Sequence, residues 1–261
     1  NETELVPYRG KDVYFRSDTG KPIAIHGKRY KPLQYTTMID KSRDMIERCN
    51  LDATGVTEQI QVSPNSGMCL VNYTLPAKEY ETPDGDTGCV TVMALSSFNG
   101  VWSFILSLGF QQSACLNSQI FIKNPASIYK SRHNGSLDVD RATNLLGKTA
   151  NILESEIELW HEWYNTPITK DDIHNAIADC ANISRDTDEP YRNKNYQYLV
   201  NAYSFDYAPK MGRNRWALYN ALTDWSTHAP SKSKNKITLI QRRAEKVQET
   251  LENNFMVAQA A

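Results

Sequence analysis

The sequence lacks any apolar run long enough for a membrane-spanning helix. Its longest apolar region, residues 101–110, is interrupted by Ser103, Ser107 and Gly109. A transmembrane helix needs about 20 predominantly apolar residues, so we expect none. The first residues are acidic and lead into no apolar segment, and we therefore expect no secretory signal peptide.

Cysteine is scarce, and no Cys-x-x-Cys occurs. An odd, scattered set in a chain without a secretion signal is typical of reduced, buried thiols in a cytoplasmic protein. The five cysteines are Cys49, Cys69, Cys89, Cys115 and Cys180.

Common catalytic motifs are also missing. The chain contains no glycine-rich phosphate loop, no His-Glu-x-x-His and no serine nucleophile elbow. His161 and His174 have carboxylates nearby in sequence, but helical spacing does not bring the two histidines together. We therefore expect a protein that is not an enzyme and has no cofactor and no metal.

A net charge of −1 conceals an uneven distribution of charge. Residues 50–110 carry 1 basic and 6 acidic side chains, and residues 136–189 carry 4 and 12. Residues 190–250, in contrast, carry 11 basic and 4 acidic side chains. Such sorting allows one basic face to meet a polyanion, although solvated helix faces of mixed sign are an equally good explanation of any single block.

Turn residues divide the first half into short strands. We expect hairpins around Asp18-Thr19-Gly20, Pro64-Asn65-Ser66-Gly67 and Phe98-Asn99-Gly100, and a further turn at Pro83–Asp86. Apolar residues at helical spacing predict one helix over residues 34–49. Residues 12–122 should thus form a mainly antiparallel sheet with one embedded helix.

After residue 136 the apolar period becomes helical. Val139 begins a long stripe that Pro167 closes, and Thr169 with Asp172 forms a capping box for the next helix. Further helices are predicted around residues 196–203, 216–225 and 237–255. The fold class is α+β, with one domain over residues 1–230, sheet-rich over 1–135 and helical over 136–230. Residues 231–261 are predicted to be a basic linker and a separable C-terminal helix.

Many aromatic residues stand next to lysine or arginine. Proteins that bind unpaired nucleic acid use cations along the phosphates and rings that stack on bases, although most such rings in an α+β domain are only core packing. The predicted phosphate-binding residues are Arg16, Lys21, Lys28, Arg29, Lys31, Lys123, Lys130 and Arg132. The predicted stacking residues are Tyr14, Tyr30 and Tyr73.

The C-terminal segment has a second basic set. Its helix carries an apolar stripe that fits either a partner's groove or its own domain. The residues predicted to bind a partner are Lys232, Lys234, Lys236, Arg242, Arg243 and Lys246.

Several stretches resemble a family known as phage/plasmid-like proteins of unknown function. They are Tyr14-Phe-Arg-Ser-Asp-Thr-Gly-Lys-Pro-Ile, Lys28-Arg-Tyr-Lys-Pro-Leu-Gln, Ser97-Phe-Asn-Gly-Val-Trp-Ser, Cys115-Leu-Asn, Arg132-His-Asn-Gly-Ser and Trp216-Ala-Leu-Tyr-Asn-Ala-Leu-Thr-Asp-Trp. Gln111-Gln112-Ser113 stand where the family has an arginine, which leaves that arginine's role open.

Size and the basic tail are most similar to the single-stranded DNA-binding proteins of N4-like bacteriophages. That resemblance implies a protein that coats unpaired DNA in replication and recombination, in the cytoplasm of the host bacterium. It also implies a late-transcription role in which the C-terminal end contacts host RNA polymerase.

Three alternatives stay open at this point. A strand-annealing recombinase shares the same chemistry but adds rings or filaments. A nucleic-acid-modifying or metal-dependent enzyme of mobile elements, or an anti-defence module that binds protein, belongs to another class. Neither the oligomeric state nor a preference for DNA over RNA follows from the residues.

Overall fold

The structure, a computed structural model, describes residues 10–49, 51–112, 118–120, 128–135 and 137–255. Its architecture is α+β, with antiparallel sheets in the first half and helices in the second, which confirms the predicted fold class. Among the described residues, no helix combines the length and the apolarity that crossing a bilayer requires.

The first two strands form a hairpin of their own. β1 (Lys11–Phe15) pairs antiparallel with β2 (Pro22–Gly27), as the turn residues predicted. Gly20 has a φ of +67° in the turn, a conformation that glycine adopts without steric cost. In the described part of the chain, this hairpin joins no ladder of the larger sheet. The predicted antiparallel region is thus divided, in the described residues, into this two-stranded sheet and a six-stranded one.

The larger sheet has six antiparallel strands. They are β3 (Thr57–Val62), β4 (Met68–Glu81), β5 (Thr87–Ser97), β6 (Phe104–Gln112), β7 (Ser118–Ile120) and β8 (Ile128–Ser131). The first four pair in chain order, and β7 and β8 both pair with β6, at its opposite ends. β8 was not predicted, because four residues carry too little periodicity to identify a strand.

Seven helices are described. They are α1 (Tyr35–Arg48), α2 (Val139–Asn165), α3 (Lys170–Ala181), α4 (Lys194–Asn201), α5 (Ala208–Met211), α6 (Arg215–His228) and α7 (Lys236–Phe255). A π-helical segment, Ala202–Tyr207, joins α4 to α5, and a short 3-10 turn, Pro190–Arg192, precedes α4. The predicted capping box at Thr169 and Asp172 is confirmed, since each side chain accepts from the other's backbone N–H.

The main core lies between one face of the six-stranded sheet and helices α1, α2 and α6. Trp160, Trp163 and Trp216 are fully buried there, and Met38 and Met45 carry the inner face of α1 into the same cluster. Trp102, in contrast, is only half-buried. Of the described cysteines, Cys49, Cys69 and Cys180 are buried and Cys89 is half-buried, and all four are free.

A smaller hydrophobic cluster occupies the opposite face of the sheet. It consists of Met68, Leu70, Leu95, Ile105 and, from the start of α7, Ile237. We call this group the satellite cluster. It fastens the beginning of α7 to the sheet.

The rest of α7 joins the main core. Its residues Val247, Leu251 and Phe255 are buried against α3 and α6. Of the two placements that the sequence left open for this apolar stripe, the structure shows the one within the protein's own domain. Burying the stripe supplies part of the core.

Candidate nucleic-acid interface

Aromatic and histidine side chains attach the β1–β2 hairpin to the larger sheet. The Tyr30 hydroxyl donates to the carbonyl of Ser97 at 2.8 Å, and His26 Nε2 donates to the carbonyl of Phe98 at 2.6 Å. His133 Nε2 donates to the carbonyl of Trp102 at 2.9 Å. All three acceptors lie in or beside the turn between β5 and β6, so the hairpin is held by that turn.

The rings of these residues also pack on one another. His26 stacks on Tyr30 with ring centroids 3.8 Å apart, and His133 lies tilted against Tyr30 at 5.0 Å. Tyr14 meets the same ring edge-on at 5.8 Å, and its hydroxyl donates to the Tyr30 carbonyl. Burial, together with the nearby Tyr14 phenol, raises the pKa of Tyr30 to about 12. Burial and the nearby His26 lower the pKa of His133, which favours a neutral imidazole.

We call the contact between the hairpin and the β5–β6 turn the joint. An open cleft of about 670 Å³ lies beside it. Lys28, Arg29 and Tyr30 line one side of it, and Arg132 lines the other. These four residues belong to two segments about a hundred residues apart in the chain, and all four are predicted site residues. The fold brings them together at one place.

Lys31 and Lys130 extend the cations of the cleft. The Lys31 backbone N–H donates to the His133 carbonyl at 2.8 Å, which places Lys31 beside the segment that carries Arg132. Lys130 lies on β8, and Arg132 directly follows the last residue of that strand, Ser131. Lys130 and Arg132 are both exposed, and Ser131 between them is buried.

The lysines of the C-terminal segment lie next to the same face of the sheet. Lys130 is paired in register with Ile105, a member of the satellite cluster, and Ile237 of α7 packs in that cluster. The Asn235 amide contacts Met68 Sδ at 3.2 Å, so Lys234 and Lys236 flank a residue that touches the sheet. The fold therefore connects the predicted DNA-binding and partner-binding cations.

Seven of these cations make no ion pair with any residue that the structure describes. They are exposed and available to a polyanion. We call them the basic surface: Arg29, Lys31, Lys130, Arg132, Lys232, Lys234 and Lys236.

The other predicted phosphate-binding residues do not belong to the basic surface. Arg16 is paired with Asp18 at 2.5 Å and also donates to Ser66 Oγ, and Lys28 is paired with Asp12. Lys21 is exposed and directly precedes β2. Lys123 lies outside the described residues.

The predicted stacking rings make contacts within the protein's own fold. Tyr73 is only 1% exposed, in the core below α1, and its hydroxyl donates to the Ile39 carbonyl. The prediction that Tyr73 stacks on a base is wrong, because alternation puts its ring on the same face of β4 as the buried Cys69 and Val71, where no base can reach it. Tyr30 is half-buried and already has His26 on its ring, so a base cannot stack on that face.

One predicted partner-binding residue is likewise structural. Arg243 is 8% exposed, and its guanidinium donates to the carbonyls of Trp225, Ala229 and Pro230 at the end of α6. Its expected contact with a partner is wrong for this reason. The neighbouring Arg242 is exposed, and Lys246 is paired with Glu249.

Sequence reasoning missed the residues that assemble the joint. Only the fold brings His26 against Gly100 and His133 against Tyr30, and no local pattern predicts these two contacts. It also missed Phe15, which is 61% exposed on the outer face of the hairpin. Strict alternation over residues 11–15 would have pointed to that exposure once Tyr14 was known to face inward.

A metal site has no support from these side chains. Within the described ranges, no group of three or more His, Cys, Asp or Glu side chains is arranged to hold a metal ion.

The family model "Domain of unknown function (DUF932)" matches residues 22–254 of the chain. The match spans most of the sequence, including Lys28, Arg29, Tyr30 and Arg132 of the cleft and the whole basic surface. The chain therefore belongs to this family. Comparison with curated proteins and with solved structures gives no match.

Proposed function

We propose that this protein is not an enzyme and binds unpaired DNA along the basic surface and the adjoining cleft. One observation carries the proposal. Three segments far apart in sequence, residues 28–31, 130–132 and 232–236, contribute exposed cations to the same side of the fold, and seven of these cations have no carboxylate partner among the described residues. Most other exposed arginines, including Arg43, Arg48 and Arg185, are already paired with carboxylates.

The absence of carboxylate partners matters because a phosphate backbone competes with any carboxylate already bound to a cation. Each phosphate that the protein neutralises releases condensed counterions from the strand. If all seven side chains each contact one phosphate, log K should fall with log salt concentration with a slope of about −5, from about −0.7 per contact on single strands.

The test is a titration with labelled single- and double-stranded oligonucleotides at two or more salt concentrations. Alanine replacement of Arg29, Lys130 and Arg132 together should weaken single-strand binding and reduce the size of the salt slope by about 2. The matched control replaces Lys170, Lys194 and Lys210, three exposed lysines on α3, α4 and α5. It removes the same charge and should leave the slope unchanged.

Two results would contradict the proposal. A wild-type salt slope near zero would remove the electrostatic basis of binding. Equal losses in both triple variants would show that only net charge matters and that the basic surface is not the site.

We assign Lys232, Lys234 and Lys236 to this DNA path rather than to host RNA polymerase. Their segment is fastened to the sheet face that also carries Lys130, so one strand can contact both sets. A late-transcription role through the same lysines would compete with DNA binding.

Strand annealing is the main alternative activity, and sedimentation combined with an annealing assay separates it from simple coating. The proposed role lies in replication and recombination of phage or plasmid DNA in the bacterial cytoplasm.

A further inference from the structure

The outer face of the β1–β2 hairpin exposes three large apolar side chains. Val13 is 53% exposed, and Phe15 and Ile25 are each 61% exposed. Val13 and Ile25 are directly opposite each other in the ladder, and Phe15 is two residues further along β1. Together they form a continuous apolar surface on the ribbon, which we call the hairpin patch.

The opposite face of the same ribbon packs against the body of the protein. Tyr14 and His26 point towards the body of the protein, where they pack around Tyr30. The hairpin patch is therefore not needed for docking the hairpin, and no described residue buries it. A cluster of exposed apolar side chains on a small ribbon is typical of an interaction surface.

Positive charge surrounds this patch. Lys11 is exposed and, two residues before Val13, lies on the same face of β1; Lys21 precedes the first residue of β2. Neither lysine has an ion-pair partner in the described ranges, whereas the nearby Asp12 and Asp18 are paired with Lys28 and Arg16. The uncompensated charge at the patch is thus positive, which suits a polyanion with apolar, flat bases.

One end of the hairpin ribbon borders the proposed interface. Lys11 is paired with Gly27, and Gly10 and Gly27 line the cleft together with Lys28, Arg29 and Tyr30. Phe15 lies four residues further along β1, about 13 Å from that end at about 3.3 Å per residue, so a strand held at the cleft by its phosphates has to extend along the ribbon to reach it. The ring of Phe15 is exposed to solvent, whereas His26 covers one face of the Tyr30 ring.

We infer that Phe15 is the ring on which a base of the unpaired strand stacks, with Val13 and Ile25 beside it and Lys11 and Lys21 at the neighbouring phosphates. This inference rests on the proposed function and adds the base contact that the basic surface lacks. Stacking of this kind accepts any base, since each base presents a flat π face.

The experiment compares two probes of equal length and charge: an oligothymidylate and a strand in which a central tract is abasic. Phe15→Ala should weaken binding to the oligothymidylate about 5- to 150-fold and leave binding to the abasic tract unchanged. Phe15→Trp, which keeps a flat ring, should retain the affinity. The matched control is Phe205→Ala, which removes another exposed phenylalanine, 74% exposed, from the π-helical segment of the helical half and should have no effect on either probe.

The outcomes separate this inference from the proposed function. If Phe15→Ala binds both probes like wild type while the basic triple variant is still impaired, the stacking role is wrong and the proposed function stands. Equal losses on the two probes would also overturn stacking, and so would a change in sedimentation without a change in affinity. If wild type binds neither probe at low salt, the proposed function itself fails.

Discussion

The imidazole of His26 stacks on the phenol of Tyr30, with centroids 3.8 Å apart and planes 18° from parallel. Each ring also donates a hydrogen bond to a carbonyl next to the β5–β6 turn, from His26 to Phe98 and from Tyr30 to Ser97. A two-stranded ribbon is at best marginally stable alone in water. This pair of rings therefore fixes the position of the hairpin and of the basic residues that follow it.

Because Gly100 has no side chain, His26 can dock closely against it. Its φ is +75°, and a Cβ added there would lie 2.8 Å from Cε1 of His26. We expect Gly100→Ala to favour opening of the hairpin by roughly 1–3 kcal/mol, because strain and the clash both act at the joint. Amide hydrogen exchange of β1 and β2 measures this opening.

The control for Gly100 is Gly85→Ala. Gly85 has a similar φ of +81° but no atom within 4 Å of an added Cβ, so it tests the backbone strain alone. Faster exchange in the hairpin should appear only in the Gly100 variant. Equal exchange in both variants would contradict the role given to the His26 contact.

Tyr73 should affect stability and not DNA binding. Because its ring is buried in the core, Tyr73→Ala should lower the free energy of unfolding by about 3–5 kcal/mol. Tyr73→Phe removes only the hydroxyl that donates to Ile39 at 3.3 Å, and should cost about 1 kcal/mol. Chemical denaturation measures both, and a stable Tyr73→Ala protein with selectively weakened single-strand binding would contradict this assignment.

Glu156 should make stability fall as the pH rises. The residue is 8% exposed, and burial raises the pKa of its carboxyl group from 4.5 to about 7. Between these two values the unfolded chain releases the proton while the folded protein keeps it, so the free energy of unfolding decreases, by about 3 kcal/mol in total at about 1.4 kcal/mol per unit. Below about pH 4.5 both states are protonated and the penalty disappears.

Glu156→Gln removes that titration. The variant should be more stable than wild type at about pH 8, by up to about 3 kcal/mol, and similar to it at about pH 4. Glu158→Gln, at an exposed position on the same helix, is the control and should follow the wild-type profile. Thermal or chemical unfolding across this pH range provides the comparison, and identical profiles for all three proteins would refute the prediction.

Arg243 should act as part of the fold. Its guanidinium donates to three backbone carbonyls at the end of α6 and lies 5.1 Å from the ring centre of Trp225. Arg243→Ala should therefore destabilise the protein by roughly 2–4 kcal/mol. The adjacent, exposed Arg242→Ala should change stability by less than about 0.5 kcal/mol. A stability loss in the Arg242 variant as large as that in Arg243→Ala would contradict the difference between these neighbours.

The buried position of Arg243 follows in part from the sequence. It is three residues after Ile240 and four before Val247, so helical periodicity places it on the apolar stripe of α7. The neighbouring basic residues indicate an exposed charged surface, whereas the helical spacing indicates a buried position for Arg243. Tyr73 is a harder case, since apolar residues on both sides of β4 face two different hydrophobic clusters and leave no clear alternation to follow.

The sequence by itself determined the local elements. Turn residues such as Asn99-Gly100, the Thr169–Asp172 capping box and the apolar spacing of the helices act between neighbours along the chain, so their positions follow from short-range geometry. Only the tertiary structure decided which cations lack carboxylate partners and which lie together. Those relationships join residues 28–31, 130–132 and 232–236, and they depend on strand register, on the docking of the hairpin through His26 and on the packing of Ile237 against the sheet.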